Sequence, residues 1–201
     1  MSTSPLHLDP LIIPRIIGPR VLDIGSGYGK WGFLAKAYGW TFGCLQPWVV
    51  GLDLFSPHIV SLNQKKIYDE LIVAKGQSLP FESLTFDTVL GIEVIEHLRF
   101  DEGKMLLDEM ERVAIHRVIV STPAHVDLRG GLETLDGYNP HEAHVSFWSR
   151  KEFRRRGYHV YGVGLRYGPS YVRHVLGSLT LVIPSLGELV LAVKDLNGVK
   201  P

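Results

Sequence analysis

Residues 21–29, Val-Leu-Asp-Ile-Gly-Ser-Gly-Tyr-Gly, run a short apolar strand straight into three glycines spaced two apart. Glycine tolerates positive φ and has no Cβ to hold a ligand off the backbone. Gly25, Gly27 and Gly29 therefore predict a tight turn that a nucleotide cofactor can touch. From Tyr28 onward, Trp31, Phe33, Leu34 and Ala37 recur at near-helical spacing, which places the turn between a strand and a helix N-terminus. Strand, glycine turn and helix in that order predict a doubly wound α/β domain.

Further strand ends follow, and each carries polar groups. The stretch 49–54 reads as a second strand ending in Asp53, where a carboxylate can accept hydrogen bonds from both hydroxyls of a ribose. The competing role for Asp53 is to cap the helix predicted from Ser56-Pro57 through Tyr68, although Ser56 suits that cap better. A third strand at 71–74 leads into Gln77-Ser78-Leu79-Pro80-Phe81. A fourth starts at Phe86 and ends on Glu93, Glu96 and His97, and a fifth at 118–122 stops at Pro123. If a helical turn begins after strand four, Glu93, Glu96 and His97 project from one face. Two carboxylates and a neutral imidazole suit a divalent cation once a fourth ligand arrives. His144, four residues before a Trp148 that opens a helix, is the candidate, and His141 competes with it.

The glycines allow two registers. The dinucleotide pattern GxGxxG fits Gly27, Gly29 and Gly32, but Gly25-Ser26 then separates it from the strand. The pattern hhDxGxGxG fits residues 21–29 directly and resembles motif I of the class I S-adenosylmethionine (SAM) methyltransferases, with the later strand ends similar to the type 11-like small-molecule group. The resemblance implies SAM as cofactor and a Rossmann-like, seven-stranded, mostly parallel sheet with an antiparallel last strand, in the order 3-2-1-4-5-7-6. It implies one domain over 1–201, with an acceptor loop at 123–146 and an insertion near 165–185. Asp23 would act near the methionine end of the cofactor, partly through water, while Gly25, Ser26, Gly27, Tyr28 and Gly29 approach it by backbone. Asp53 and Leu54 would meet the ribose, and Gln77, Ser78 and Leu79 the adenine, where Lys75 and Gln77 stand in place of the family's frequent acid. Gly91 and Glu93 would line the cofactor from strand four. Glu93, Glu96, His97 and His144 also resemble the ligand set of the metal-assisted terminal 2′-O-methyltransferases of small RNAs, with similarity to the ubiquinone-pathway O-methyltransferases. A metal there would lower the pKa of an acceptor hydroxyl. Glu-His-Leu at this position also occurs in methyltransferases without a metal, where the acids cap a helix or line the pocket. In that case His97 or His144 is the candidate catalytic base.

Charge narrows the acceptor. Lys plus Arg and Asp plus Glu are 21 each, so no overall basic field favours nucleic acid, and a small-molecule acceptor is expected ahead of RNA. The basic run Arg150, Lys151, Arg154, Arg155, Arg156 reads as a solvated helix face, with a phosphate or RNA site as its alternative. A connection as long as 123–146 is usually functional. His125, Arg129, Tyr138, Asn139, His141 and His144 suit it to a hydroxylated or ionic acceptor. The single Cys44 excludes an internal disulfide. The N-terminus lacks the basic start and apolar core of a signal peptide, so a cytoplasmic location is expected. Pro184, Gly187 and Glu188 interrupt the apolar run 175–193, which predicts a helix over 171–183 and an antiparallel strand over 188–194 instead of a membrane span. That helix would be core or the contact of a homodimer. Two other classes compete with the methyltransferase: an NAD(P)-dependent oxidoreductase and a non-catalytic SAM-binding interaction subunit.

Overall fold

The computed structural model describes residues 4–39, 46–126, 130–165 and 179–196. The expectations for Cys44, Arg129 and most of the 171–183 helix fall outside them. After a short helix α1 (Asp9–Ile12), the chain alternates β1 (Arg20–Ile24), α2 (Lys30–Gly39), β2 (Trp48–Asp53), α3 (Ser56–Lys65), β3 (Glu70–Val73), β4 (Phe86–Ile92), α4 (Phe100–Val113) and β5 (Ala114–Pro123). A small hairpin, β6 (Leu132–Thr134) and β7 (Gly137–Asn139), then precedes α5 (Arg150–Arg155), β8 (His159–Leu165) and β9 (Gly187–Asp195).

The main sheet has seven strands in the order β3-β2-β1-β4-β5-β9-β8. With the hairpin strands left out of the count, that is the order expected from sequence. The strands from β3 to β5 are mutually parallel, while β9 is antiparallel to both β5 and β8. Central β4 is buried along its whole length, as a parallel strand covered on both faces must be. Alternate residues of β1 divide the core: Leu22 and Ile24 pack with Leu52, Val89, Leu106, Met110 and Trp148, whereas Val21 packs with Val49, Leu62, Leu90 and Leu191. In α4, Gly103, Leu106, Leu107, Met110 and Val113 form the buried face at helical spacing.

Three local expectations need correction. The 123–146 connection is not structureless, because β6 and β7 pair antiparallel within it; three-residue strands are too short to show alternation. Helix α3 stops at Lys65, where Lys66 turns left-handed at φ 52°, so Tyr68 lies beyond it. Trp148 does not open a helix. The helix starts at Arg150 behind a capping box of Ser149 and Glu152, and Trp148 is buried in the core before it. Of the basic run, Arg154 and Arg155 are exposed, but Arg156 pairs with Asp108 and Glu111 and Arg150 donates to the Gly187 carbonyl. No described helix is long and apolar enough to cross a membrane.

Candidate functional site

Parallel pairing brings the C-terminal ends of β1, β2, β3 and β4 to one edge, and a cleft of about 700 Å³, open mouth included, lies there. One end is walled by Ile24, Gly25, Leu52, Asp53, Leu54, Ala74, Lys75, Gly76 and Gln77. The glycine turn is made from the backbone: Gly25, Gly27 and Gly29 have φ of 72°, 48° and 88°, and the Gly25 and Ser26 amides donate to the Leu52 carbonyl. A Cβ on Gly25 would come within 2.4 Å of Val94 Cγ2. Asp53 fastens the turn to β2. Its carboxylate accepts from the Gly27 amide at 2.9 Å and from the Phe55 amide at 2.9 Å. Neither Asp53 nor Ser56 caps α3: the N-cap is Phe55, with no side-chain cap bond, and Asp53 holds the Phe55 amide just ahead of the helix. Asp53 also lines the cleft, and a carboxylate holding two bonds keeps further acceptor capacity.

The other end is walled by Glu93, Val94, His97, Leu98, Asn139, His141 and Glu142. Glu93 does not sit on a helical turn with Glu96 and His97. Its φ is 57°, and the single 3₁₀ turn Ile95–His97 begins after it. A left-handed non-glycine residue at a strand end marks strain that surrounding contacts must hold, as functional sites often do. Here Ser121 on β5 supplies the contacts: its hydroxyl donates to Glu93 Oε1 at 2.6 Å and its oxygen accepts the Glu93 amide. Behind this wall, ligand atoms of Glu96, His97 and His144 lie within 4.8 Å of one another. The Val145 and Ser146 amides both donate to the Glu96 carbonyl, drawing the two sequence-distant segments together. Against the Ala143 carbonyl, His97 Nδ1 lies at 3.1 Å; donating there leaves Nε2 as the acceptor or metal-binding nitrogen.

The candidates from sequence are therefore distributed unevenly. Gly25, Asp53, Leu54, Gln77, Glu93 and His97 line the cleft. Asp23, Ser26, Gly27, Tyr28, Gly29, Ser78, Leu79, Gly91 and His144 are not among its lining residues. The Gly91 position faces Met110, which a Cβ would meet at 2.9 Å, and Leu79 is buried with its amide bonded to Glu109. His141 and His144 separate, the first to the cleft wall and the second to Glu96 and His97. Sequence reasoning missed Tyr68, His58, Asp136 and Glu142. Tyr68 and His58 sat at positions whose spacing signals only core, and the other two find their places only in the fold, Glu142 on the cleft wall and Asp136 beside His58.

Asp23 illustrates what the sequence concealed. It is fully buried, and the Tyr68 hydroxyl donates to its Oδ2 at 2.5 Å. Burial, opposed by that hydrogen bond and reinforced by the Asp53 charge, pushes its pKa up to about 7. The Tyr68 phenol is raised well above its ordinary value by burial and by the same carboxyl group.

Residues 22–120 match the family model described as a methyltransferase domain. No curated protein matches the chain. Among solved structures, a Pyrococcus horikoshii OT3 protein superposes with a TM-score of 0.64 at 20% identity, covering 95% of this chain and 88% of that one. A SAM-dependent methyltransferase from Archaeoglobus fulgidus gives 0.62 at 16% identity over 94% and 91%. The magnesium protoporphyrin IX methyltransferase of Synechocystis PCC 6803, with bound SAM, gives 0.53 at 15% identity over 95% and 74%. At these identities the structural likenesses establish the fold.

Proposed function

We propose that this chain, a class I SAM-dependent methyltransferase, carries the methyl group of SAM to an oxygen or nitrogen of a small-molecule acceptor bound at the Glu93–His97 end of the cleft. The observation that carries the proposal is the continuity of one cleft from Gly25, Asp53 and Gln77 to Glu93, His97 and Glu142. Asp53 would accept from the ribose hydroxyls, the Gly25 backbone would lie against the cofactor, and Leu54 and Gln77, with Ser78 and Leu79 behind, would shape the adenine site. Asp23, through Tyr68, would steady the turn near the methionine end. The amides of Gly25, Ser26 and Gly27 are already bonded to Leu52 and Asp53. That supports a sulfonium nucleoside over a dinucleotide, whose pyrophosphate needs such donors.

SAM brings an electrophilic methyl, so the protein's main task is to align donor and acceptor. Its second task is to receive a proton. His97 Nε2 faces that role while Nδ1 is held by Ala143. Lys75 is the lone lysine or arginine on the described cleft wall, against Asp53, Glu93 and Glu142. This lining supports a neutral or cationic small molecule over a phosphate-rich polymer.

A second reading rests on the Glu96, His97 and His144 group. The three are one oxygen and two nitrogen donors, a set suited to a divalent ion, and they would hold it as part of a metal-assisted RNA 2′-O-methyltransferase. Such an ion would supply Lewis-acid polarisation of the acceptor hydroxyl. Glu93, engaged with Ser121, would stand outside the ligand set. Calorimetry with SAM, S-adenosylhomocysteine and NAD tests the cofactor assignment: binding of the first two without the third is expected, and tight NAD binding alone would replace the proposal with the oxidoreductase. Titration of manganese or zinc into wild type and His144→Ala tests the metal site: binding to wild type that His144→Ala loses is expected under this second reading, and no binding to either removes it.

A further inference from the structure

We infer that His58 is a positioning residue that couples the β6–β7 hairpin to the cofactor-binding carboxylate of Asp53. The inference rests on the assignment of Asp53 to the SAM ribose. His58 lies in the first turn of α3 and is 1% exposed. Its ring is held edge-on by Tyr28 of the glycine turn, centroids 5.2 Å apart, and by Phe55 at 4.9 Å. Nδ1 lies 3.4 Å from Asp53 Oδ2, and Nε2 lies 4.0 Å from Asp136 Oδ2 at the hairpin tip.

Packing alone does not explain this ring. An imidazole retained merely to fill space has no reason to face a carboxylate with each nitrogen, and an apolar ring would fill the same gap without burying polar atoms. His58 Nε2 and Asp136 Oδ2 are both buried and make no hydrogen bond among the described residues. At 4.0 Å each is placed to offset the other's desolvation. Closing the gap by roughly 1 Å would turn the pair into an ordinary hydrogen bond.

The hairpin tip is built to transmit that contact. Thr134 Oγ1 accepts from the Asp136 amide while its hydroxyl donates to the Gly137 carbonyl, so the tip is locally rigid. The Leu135 amide donates to the Tyr28 hydroxyl at 2.8 Å, giving the tip a second hold on the glycine turn. From the tip, β7 runs directly into Asn139, His141 and Glu142 of the cleft wall and on to His144. Where Asp136 sits therefore sets where the acceptor wall sits. His58 reports on the tip to Asp53. By reciprocity, a cofactor that engages Asp53 seats the hairpin, and a seated hairpin strengthens the grip on the cofactor.

Asn and Gln at position 58 place a side-chain amide near the Nδ1 and Nε2 positions respectively, so the two halves of the contact can be separated. S-adenosylhomocysteine is titrated calorimetrically into wild type, Asp136→Asn, His58→Asn, His58→Gln and the double variants of the full chain. Asp136→Asn is expected to weaken binding by about fivefold or more in wild type and to add nothing in the His58→Asn background. Amide exchange over 132–139 is expected to slow on saturation with S-adenosylhomocysteine in wild type and not in Asp136→Asn. Unchanged affinity in Asp136→Asn, or an equal loss in both backgrounds, overturns the inference. Should Asp53→Ala bind as tightly as wild type, the ribose assignment itself fails, and the inference with it. A strong Asp53→Ala loss beside a silent Asp136→Asn overturns the coupling alone.

Discussion

The two ends of the cleft are built by different means. Around the glycine turn the wall is mostly main chain: amides of Gly25, Ser26 and Gly27 bonded to the end of β2, in a register set by pairing Ile24 with Leu52 and with Gly91. Around His97 the wall is mostly side chain, assembled from residues 93–98 and 139–144, and fixed by contacts between segments more than forty residues apart. A main-chain site follows from the fold and can be shared by proteins of low identity. A side-chain site has to be packed anew in each.

If that division is right, a change at His97, which lies off the β6–β7 hairpin, should affect turnover and leave cofactor binding alone. Once an acceptor is in hand, His97→Ala should lower turnover by about 10²- to 10⁴-fold, the usual contribution of a positioned base. Calorimetry should find its SAM affinity within about twofold of wild type, as for a change outside the cofactor contacts. A parallel loss of SAM affinity would show that the two ends are one unit.

The acceptor end should also depend on a core anchor. Trp148 is stacked on Phe100 at 4.5 Å, sits where a Cβ on Gly103 would come within 2.4 Å of its ring, and donates to Ser146, whose hydroxyl reaches Ile95. Trp148→Ala is expected to cost about 3–5 kcal/mol by denaturant unfolding. A loss below about 1 kcal/mol would mean that the segment carrying His144 holds its place without the core.

At the cofactor end, Asp53→Ala removes an ionised acceptor from two amides and, under the proposal, from the ribose. At about 1.5–3 kcal/mol for a charge-assisted hydrogen bond, SAM affinity should fall by roughly 10- to 100-fold in calorimetry. Equal affinity in the two proteins would remove Asp53 from the site.

The smallest effect at any one pH concerns Asp23. Its folded pKa, about 7, is raised above the ordinary carboxyl value. The stability it lends is therefore complete at pH below about 4 and is lost as pH rises toward and through 7. The slope should not exceed about 1.4 kcal/mol per pH unit. Thermal melts of Asp23→Asn should show a flatter profile over that window. A wild-type profile rising with pH over the same range, and unaltered by the substitution, would mean Asp23 is ionised in the fold.

The strand ends were legible because their signals are local. An apolar run broken by closely spaced glycines, or ended by an acid, says where a parallel strand stops, and the order of such ends says which fold they share. The Glu96, His97 and His144 grouping was legible by resemblance and is reproduced as a cluster, but Glu93 was grouped with them on an assumed helical turn. Its positive φ depends on Ser121 from the neighbouring strand, which no spacing rule contains. Tyr68 beneath Asp23, and Asp136 beside His58, likewise join residues 45 and 78 positions apart.

By itself the sequence determined the parallel α/β frame, the place of the glycine turn and the acid at the end of the second strand, since these depend on backbone conformation and nearest-neighbour spacing. Only the tertiary structure decided which histidine lines the cleft and which stands behind it, that Glu93 stands apart from the Glu96, His97 and His144 cluster, and that a hairpin hidden in the long connection folds back onto the turn. Those outcomes are set by which segments pack against one another, and buried polar atoms find their partners through that packing.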